Sequence, residues 1–463
     1  MKALAVGLLA GLCHENAEGF AVQRSVPFMP QRAHSKGAKC MVYSSMTSPA
    51  YGSFVQLEQS AERDVGSFQE WAFSCGVEMG NGFYLAQTEI DGKEDWYSAT
   101  SEGGAEGEQV LYIPGGMILS AANIAAEFDG YADAAVGIVE YEEGMQHLIP
   151  QFYLFLKVLM EYEQGVDSPY FAWLNSLPRQ WNTAVSMDTF CMSCLPPYIR
   201  GLCQTERDQC ATFKEALQPF EYLSPDTKAN DSLLTFAYNV VFTRSFPTDD
   251  GSGDTRIAPM ADMLNHGYPD NASLMYDPQS MDAYVILKDN VEPGEPLTIS
   301  YGQPTNPSRF LATYGFLNEA PATYCKILFT NPSQELIDVG YSPELMLFYT
   351  DGTVAQPVWD VLLYSRLEKR AELSHVAQAF YQAHMTGDED TKNAIHAQYQ
   401  RDTCNALLRH LNHIIIEIED LKVKMYSIKD ASNHPRLPLL TRHHDMVIET
   451  FKNVREYVTN MNN

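Results

Sequence analysis

Residues 261–266 read Ala-Asp-Met-Leu-Asn-His, and thirty-five residues beyond that histidine stands Tyr301, in Ile299-Ser300-Tyr301-Gly302. Between them, "AYVILKD" and "PLTISYG" have strand character and are joined by "NVEPGE", a Pro-Gly turn. The chain therefore carries an Asn-His pair and a strand-end tyrosine on either side of a short β region. More β character lies upstream, from Phe68 to Ala121. There "GVEMGNGFYLAQTEI" alternates around Gly80 and Gly82, and "EQVLYIPGGMIL" ends at a Pro-Gly-Gly turn. The polar, Gly-rich stretch from about Asp91 to Glu108 is expected to be a surface insertion.

Helical periodicity separates the two β regions. "HLIPQFYLFLKVLMEYEQG" is apolar on a broad face and ends at Gly165, a C-cap residue. "NDSLLTFAYNVVFTRSF" reads as a helix with Asn230 or Asp231 as its N-cap. After Tyr324 the pattern is mainly helical, clearest in "HLNHIIIEIEDLKVKMYSI" and "LTRHHDMVIETFKNVREYVTNM". The order is β, helical insert, β, helical tail.

At 463 residues, 45% hydrophobic and 19% charged, the chain has the composition of a globular protein of two or three domains. Residues 1–50 read as a removable presequence. Lys2 precedes the short apolar run "ALAVGLLAGL", Ala17 and Gly19 place a cleavage before Phe20, and an acid-free basic segment follows. This resembles the bipartite presequence of algae with complex plastids and points to the plastid stroma, with secretion as the alternative. Beyond residue 50 the balance is 26 Lys/Arg against 57 Asp/Glu. So acidic a body repels phosphate backbones, which argues against nucleic acid as a partner. No later run is long enough to span a bilayer, so no membrane segment is expected in the mature form.

The arrangement of "GNGF", "TRSF", "ADMLNH", "EPGEPLTISYG" and "RFLATYGF" around a helical insert resembles a SET-domain methyltransferase. It is most similar to the split-SET branch that includes the Rubisco large-subunit lysine methyltransferase. The resemblance implies an α+β chain. A SET-domain β-fold at 65–325 is interrupted by a helical insert at about 145–228. An all-helical domain at 326–463 then binds the protein substrate. It implies S-adenosylmethionine as cofactor, methyl transfer to a protein lysine, and a monomer.

The resemblance also assigns roles. Met79, Gly80, Asn81 and Gly82 match the loop that meets the methionine part of the cofactor, where glycine permits close backbone approach. Arg244 matches an arginine that can grip the cofactor carboxylate through two parallel hydrogen bonds. Asn265 and His266 match the pair that holds its amino-acid end and adenine. Tyr301, also at the cofactor, matches the catalytic tyrosine. Methyl transfer from a sulfonium is an in-line displacement, so what the protein must supply is alignment of a neutral amine. Phe246 and Tyr314 would wall the lysine channel, and Phe246 favours lysine over histidine as target. Asp262 is expected to contact substrate.

A different class remains open, a non-catalytic SET-like module that only binds a protein. The presence of Arg244, Asn265, His266 and Tyr301 together favours the enzyme. A hydrolase is disfavoured, because the chain has no G-x-S-x-G, H-E-x-x-H or Walker loop. Cys191, Cys194, Cys203 and Cys210 are loosely spaced like zinc ligands, but the second pair is too far apart for a zinc ribbon. The stretch reads as apolar packing and no metal is assigned to it, though whether these cysteines bind one stays open.

Overall fold

The computed structural model describes residues 54–90, 93–248, 251–302, 306–318, 323–325 and 331–462. The presequence at 1–50 lies outside the described residues. The first element is a helix, α1 (Val65–Ser74), whose N-cap Asp64 accepts a hydrogen bond from the Ser67 amide. It covers the start of the region expected to be all strands. Val65, Phe68 and Ala72 are its buried face, a helical spacing that the strand reading overlooked.

Strands follow as β1 (Glu78–Met79), β2 (Phe83–Ile90), β3 (Lys93–Thr100), β4 (Gln109–Ile113) and β5 (Leu119–Ser120). The second β region adds β6 (Phe246–Pro247), β7 (Thr255–Ile257), β8 (Asn265–His266), β9 (Ala272–Tyr276), β10 (Ala283–Leu287) and β11 (Pro296–Ile299). They assemble as three small sheets with orders β1-β4-β10-β9, β2-β3-β11-β8 and β5-β7-β6. Each of these sheets draws strands from both sides of the helical insert, so the β unit closes only when the two regions meet.

Two sequence expectations change here. Much of the supposed insertion is β3, paired antiparallel with β2 from Phe83↔Thr100 to Ile90↔Lys93, and with β11 at Leu297↔Ser98. Its buried residues Ser98, Ala99 and Thr100 are small, and its first half, Lys93-Glu94-Asp95, is charged, so only Trp96 and Tyr97 hint at a strand. Second, β10 and β11 share a short turn yet do not pair with each other, and they enter different sheets.

The helical run between the β regions starts earlier and ends later than expected. It comprises α2 (Ala121–Glu127), α3 (Asp133–Tyr141), α4 (Ile149–Glu163), α5 (Phe171–Ser176), α6 (Thr189–Ser193), α7 (Pro197–Ala216), α8 (Pro225–Ala229) and α9 (Asp231–Arg244). Ser120 caps α2, and Asn230 caps α9 by accepting from the Leu233 amide. Gly165 follows α4 with φ 57°, as its C-terminal position demands.

After α10 (Ser308–Thr313) the tail is helical, with α11 (Gln334–Asp338), α12 (Gln356–Glu368), α13 (Ser374–Thr386), α14 (Glu389–Tyr426) and α15 (Leu437–Asn462). One antiparallel pair, β12 (Thr323–Cys325) with β13 (Leu347–Tyr349), interrupts it. The apolar residues form a large cluster in the β unit and the helices packed on it, and a second among the tail helices. A third, smaller cluster joins Cys191, Cys194, Leu195 and Cys203 to Leu437, Leu439 and Leu440. The tail is thus seated on the insert through its own buried layer.

Candidate active site

The Asn-His pair and Tyr301 belong together because β8 and β11 are parallel neighbours, with Thr298 beside Asn265 and Ile299 beside His266. Gly267 is required at that junction, since a Cβ there would lie 2.3 Å from the Thr298 hydroxyl oxygen. Tyr301 leaves the strand end and is fixed twice. Its hydroxyl donates to the Leu264 carbonyl at 2.6 Å, and its amide donates to His266 Nδ1 at 3.2 Å. Asn265 Nδ2 donates to the Trp96 carbonyl at 3.1 Å, which ties the pair to β3.

Aromatic rings enclose this tyrosine. Ring centroids of Tyr314, Phe246, His266 and Phe316 lie 5.0, 5.4, 5.5 and 6.3 Å from that of Tyr301. Burial pushes the Tyr301 hydroxyl far above the ordinary tyrosine range, and Tyr314 up to about 12. Both stay protonated at neutral pH, so neither can act as a base there. Burial lowers the pKa of His266, which fits a neutral ring whose Nδ1 accepts the Tyr301 amide.

Arg244, at the last turn of α9, points to the same region. Its Nη1 donates to the Asp262 carbonyl at 2.8 Å and meets the Asp262 carboxylate at 3.2 Å. The guanidinium carbon sits 5.7 Å from the Trp181 ring centroid. Asp262 does not face open space as expected for a substrate contact. Its side chain is 0% exposed and takes a second hydrogen bond, 2.9 Å, from the Trp173 indole of α5. Burying a polar group costs free energy unless it is hydrogen-bonded, and Arg244 with Trp173 supplies the partners of Oδ2.

The Met79–Gly82 loop is placed differently. Gly80 and Gly82 are required by the protein itself: a Cβ would come 2.7 Å from the Gln109 carbonyl and 2.0 Å from the Ser101 hydroxyl. Asn81, at φ 53°, donates to Glu108 at 2.6 Å. The loop borders the Thr100 end of β3, while Asn265 holds Trp96, four residues along the same strand. Loop and pair are thus anchored at different points along β3. Sequence reasoning missed Trp96, Trp173 and Trp181, which reach the site from remote segments and are unmarked by their local sequence, and it gave no role to Phe316, which closes the "RFLATYGF" motif.

Comparisons with known proteins bear on the fold. No family model matches the chain. A stretch of 109 residues is 28% identical to the SET domain-containing protein 8 of Schizosaccharomyces pombe. That match spans 22% of this chain and a quarter of the curated relative's length, 25%. Among solved structures, Rubisco LSMT bound to sinefungin and monomethyllysine superposes with a TM-score of 0.59 at 13% identity, covering 87% of this chain and 92% of that one. The SET domain of LSMT bound to lysine and AdoHcy gives 0.56 at 12% identity, over 86% and 91%. The fold is therefore that of a SET-domain protein with a large C-terminal helical region.

Proposed function

We propose that this protein transfers a methyl group from S-adenosylmethionine to a lysine side chain of a protein substrate. The observation that carries the reading is Tyr301, its hydroxyl locked on the Leu264 carbonyl inside an aromatic enclosure beside Asn265 and His266. Similar solved structures contain AdoMet, AdoHcy or lysine, which supports the same pairing of ligands here.

The residues fit such a cofactor. Arg244 Nε, Asp262 Oδ1 and Trp181 Nε1 are buried polar atoms without a hydrogen-bond partner among the described residues. A zwitterionic amino-acid group offers what they lack. Arg244 and Asn265 would hold that end, with His266 and the Met79–Gly82 loop along the remainder. Bound there, S-adenosylmethionine supplies an electrophilic methyl group.

The chain's own contribution is placement. Because the Tyr301 proton is committed to Leu264, its oxygen keeps lone pairs that can accept an N–H from the incoming amine and aim the nitrogen. Phe246, Tyr314 and Phe316 exclude water and suit an alkyl stem ending in an amine. An enclosed, apolar channel also favours the neutral amine over the ammonium form. Asp262 would orient Arg244 through Oδ2, with Oδ1 left to the cofactor's amino-acid end.

The C-terminal helices are proposed to recognise the protein substrate, and the mature protein to act as a monomer in the plastid stroma. Incubation with radiolabelled S-adenosylmethionine and a plastid extract should place label on lysine ε-nitrogen. Absence of label from every protein, or label on another residue type alone, would overturn the reading.

A further inference from the structure

Asp188, Cys191 and His434 converge where α6 meets the connection between α14 and α15. Asp188 Oδ2 lies 2.9 Å from His434 Nδ1 and 3.5 Å from Cys191 Sγ. One ligand atom from each residue falls within 4.8 Å of the others. The donors are held in place. Asp188 Oδ1 accepts the Cys191 amide at 2.8 Å, which leaves Oδ2 turned toward thiol and imidazole. The His434 ring packs on Phe190 with centroids 4.7 Å apart.

We propose that Asp188, Cys191 and His434 form a binding site for a divalent metal ion of the zinc class, joining the helical insert to the C-terminal helices. Thiolate, imidazole and carboxylate are the three zinc donor types, and the two anions together neutralise a dication. Zinc bonds of about 2.0–2.3 Å set tetrahedral donors roughly 3.3–3.5 Å apart, near the spacings already present. Three protein ligands leave a fourth position for water or a further donor. Cys194, three residues on, lies within electrostatic reach of both Asp188 and Cys191.

The cost of binding is visible too. Burial pushes the Cys191 thiol up to about 12, so metal uptake must displace its proton to solvent and strengthens as pH rises. The Asp188–His434 hydrogen bond is exchanged for two metal bonds. Arg436, held on the Trp181 carbonyl at 2.7 and 2.9 Å, stands close to Asp188 and Cys191. Its charge disfavours a cation but favours the anionic forms of both groups, which are the forms that bind metal. Cysteine spacing could not disclose this set. Cys203 and Cys210 face different apolar clusters, and His434 is 246 residues from Asp188.

The test uses the full chain, stripped of metal by chelation and titrated with Co²⁺. The expected result is one equivalent bound, with visible bands of a four-coordinate ion and thiolate-to-cobalt charge transfer. Cys191→Ser should remove the charge-transfer band, and His434→Ala should weaken affinity beyond the ~10–100-fold typical of losing an outer partner. Cys203→Ser should change neither. Wild-type protein that binds no cobalt stoichiometrically overturns the proposal, as does a Cys191→Ser spectrum identical to wild type. Circular dichroism of each variant separates ligand loss from unfolding, and the wild-type result stands without any variant.

Discussion

The SET unit and the C-terminal helices solve the same packing problem with different reach along the chain. In the tail, α14 and α15 bury an apolar stripe against each other and against α12 and α13, so most partners are helices close in sequence. Its polar centre, Asp360 with Lys392 at 3.0 Å and His396 at 2.7 Å, follows the same plan. In the SET unit the candidate site residues are held by contacts between distant segments: Trp96 with Asn265 and Trp173 with Asp262. Local pattern suffices for a scaffold of helices, whereas the site exists only through non-local register.

If that contrast holds, a lesion in the tail core should damage stability and leave the cofactor site alone. Phe451 is 1% exposed and meets Phe348 edge-on at 5.1 Å. Phe451→Ala is expected to cost about 3–5 kcal/mol of stability. Chemical denaturation measures the loss, and calorimetry below the transition should find unchanged affinity for S-adenosylmethionine. A large fall in affinity would mean that the two regions are not energetically distinct.

A lesion in the non-local network should do the reverse. Asn265→Ala removes the donor to the Trp96 carbonyl and the amide proposed to hold the cofactor. Losing a part-buried hydrogen-bond partner of this kind costs about 1 kcal/mol. Affinity for S-adenosylmethionine should therefore fall at least severalfold, with the far-ultraviolet spectrum preserved. Equal affinity in wild type and variant would remove Asn265 from the site.

The layer joining the regions offers the smallest and most pH-specific effect. His443 and His444 are buried there, their Nδ1 atoms 3.1 Å apart, and His444 Nε2 is 2.9 Å from the Cys194 carbonyl oxygen. Burial lowers their pKa values to about 3 and about 4. Both are neutral in the fold, while the unfolded chain takes up protons near 6.5. Their contribution is thus complete above about pH 6.5 and is lost as pH falls toward 4. His443→Asn should flatten the stability slope in that window, by at most about 1.4 kcal/mol per pH unit. An unchanged slope would show that His443 is already protonated when folded.

The same contrast explains what the sequence disclosed. The helices α4, α9, α14 and α15 were legible as long helix-compatible runs, with Gly165 and Asn230 marking ends of the first two, and so were the strands β10 and β11. The pairing of Asn265-His266 with Tyr301 was anticipated from motif order rather than from any local signal. β3 was hidden because it opens on Lys93-Glu94-Asp95 and its buried end, Ser98 to Thr100, is made of small residues. α1 to α3 escaped because they are short, at 10, 7 and 9 residues, so each shows only two or three turns of its pattern. The burial of Asp262 and the arrival of Trp173 beneath it depend on a fold that places residues 89 apart within 2.9 Å. Composition and spacing do not encode that distance.

The central claim is that Tyr301 positions the reacting amine, and removing one oxygen atom tests it most directly. Tyr301→Phe keeps the ring among Phe246, Tyr314 and Phe316 but deletes the hydroxyl that anchors on Leu264. Single-turnover methylation is compared for wild type and variant, both folded by circular dichroism and equally loaded with S-adenosylmethionine. The account predicts a rate reduced about 10²-fold or more, because misplacement of reacting groups has effects of that size. Cofactor affinity should change little. A variant that methylates at the wild-type rate would contradict the account and leave Tyr301 as part of the wall.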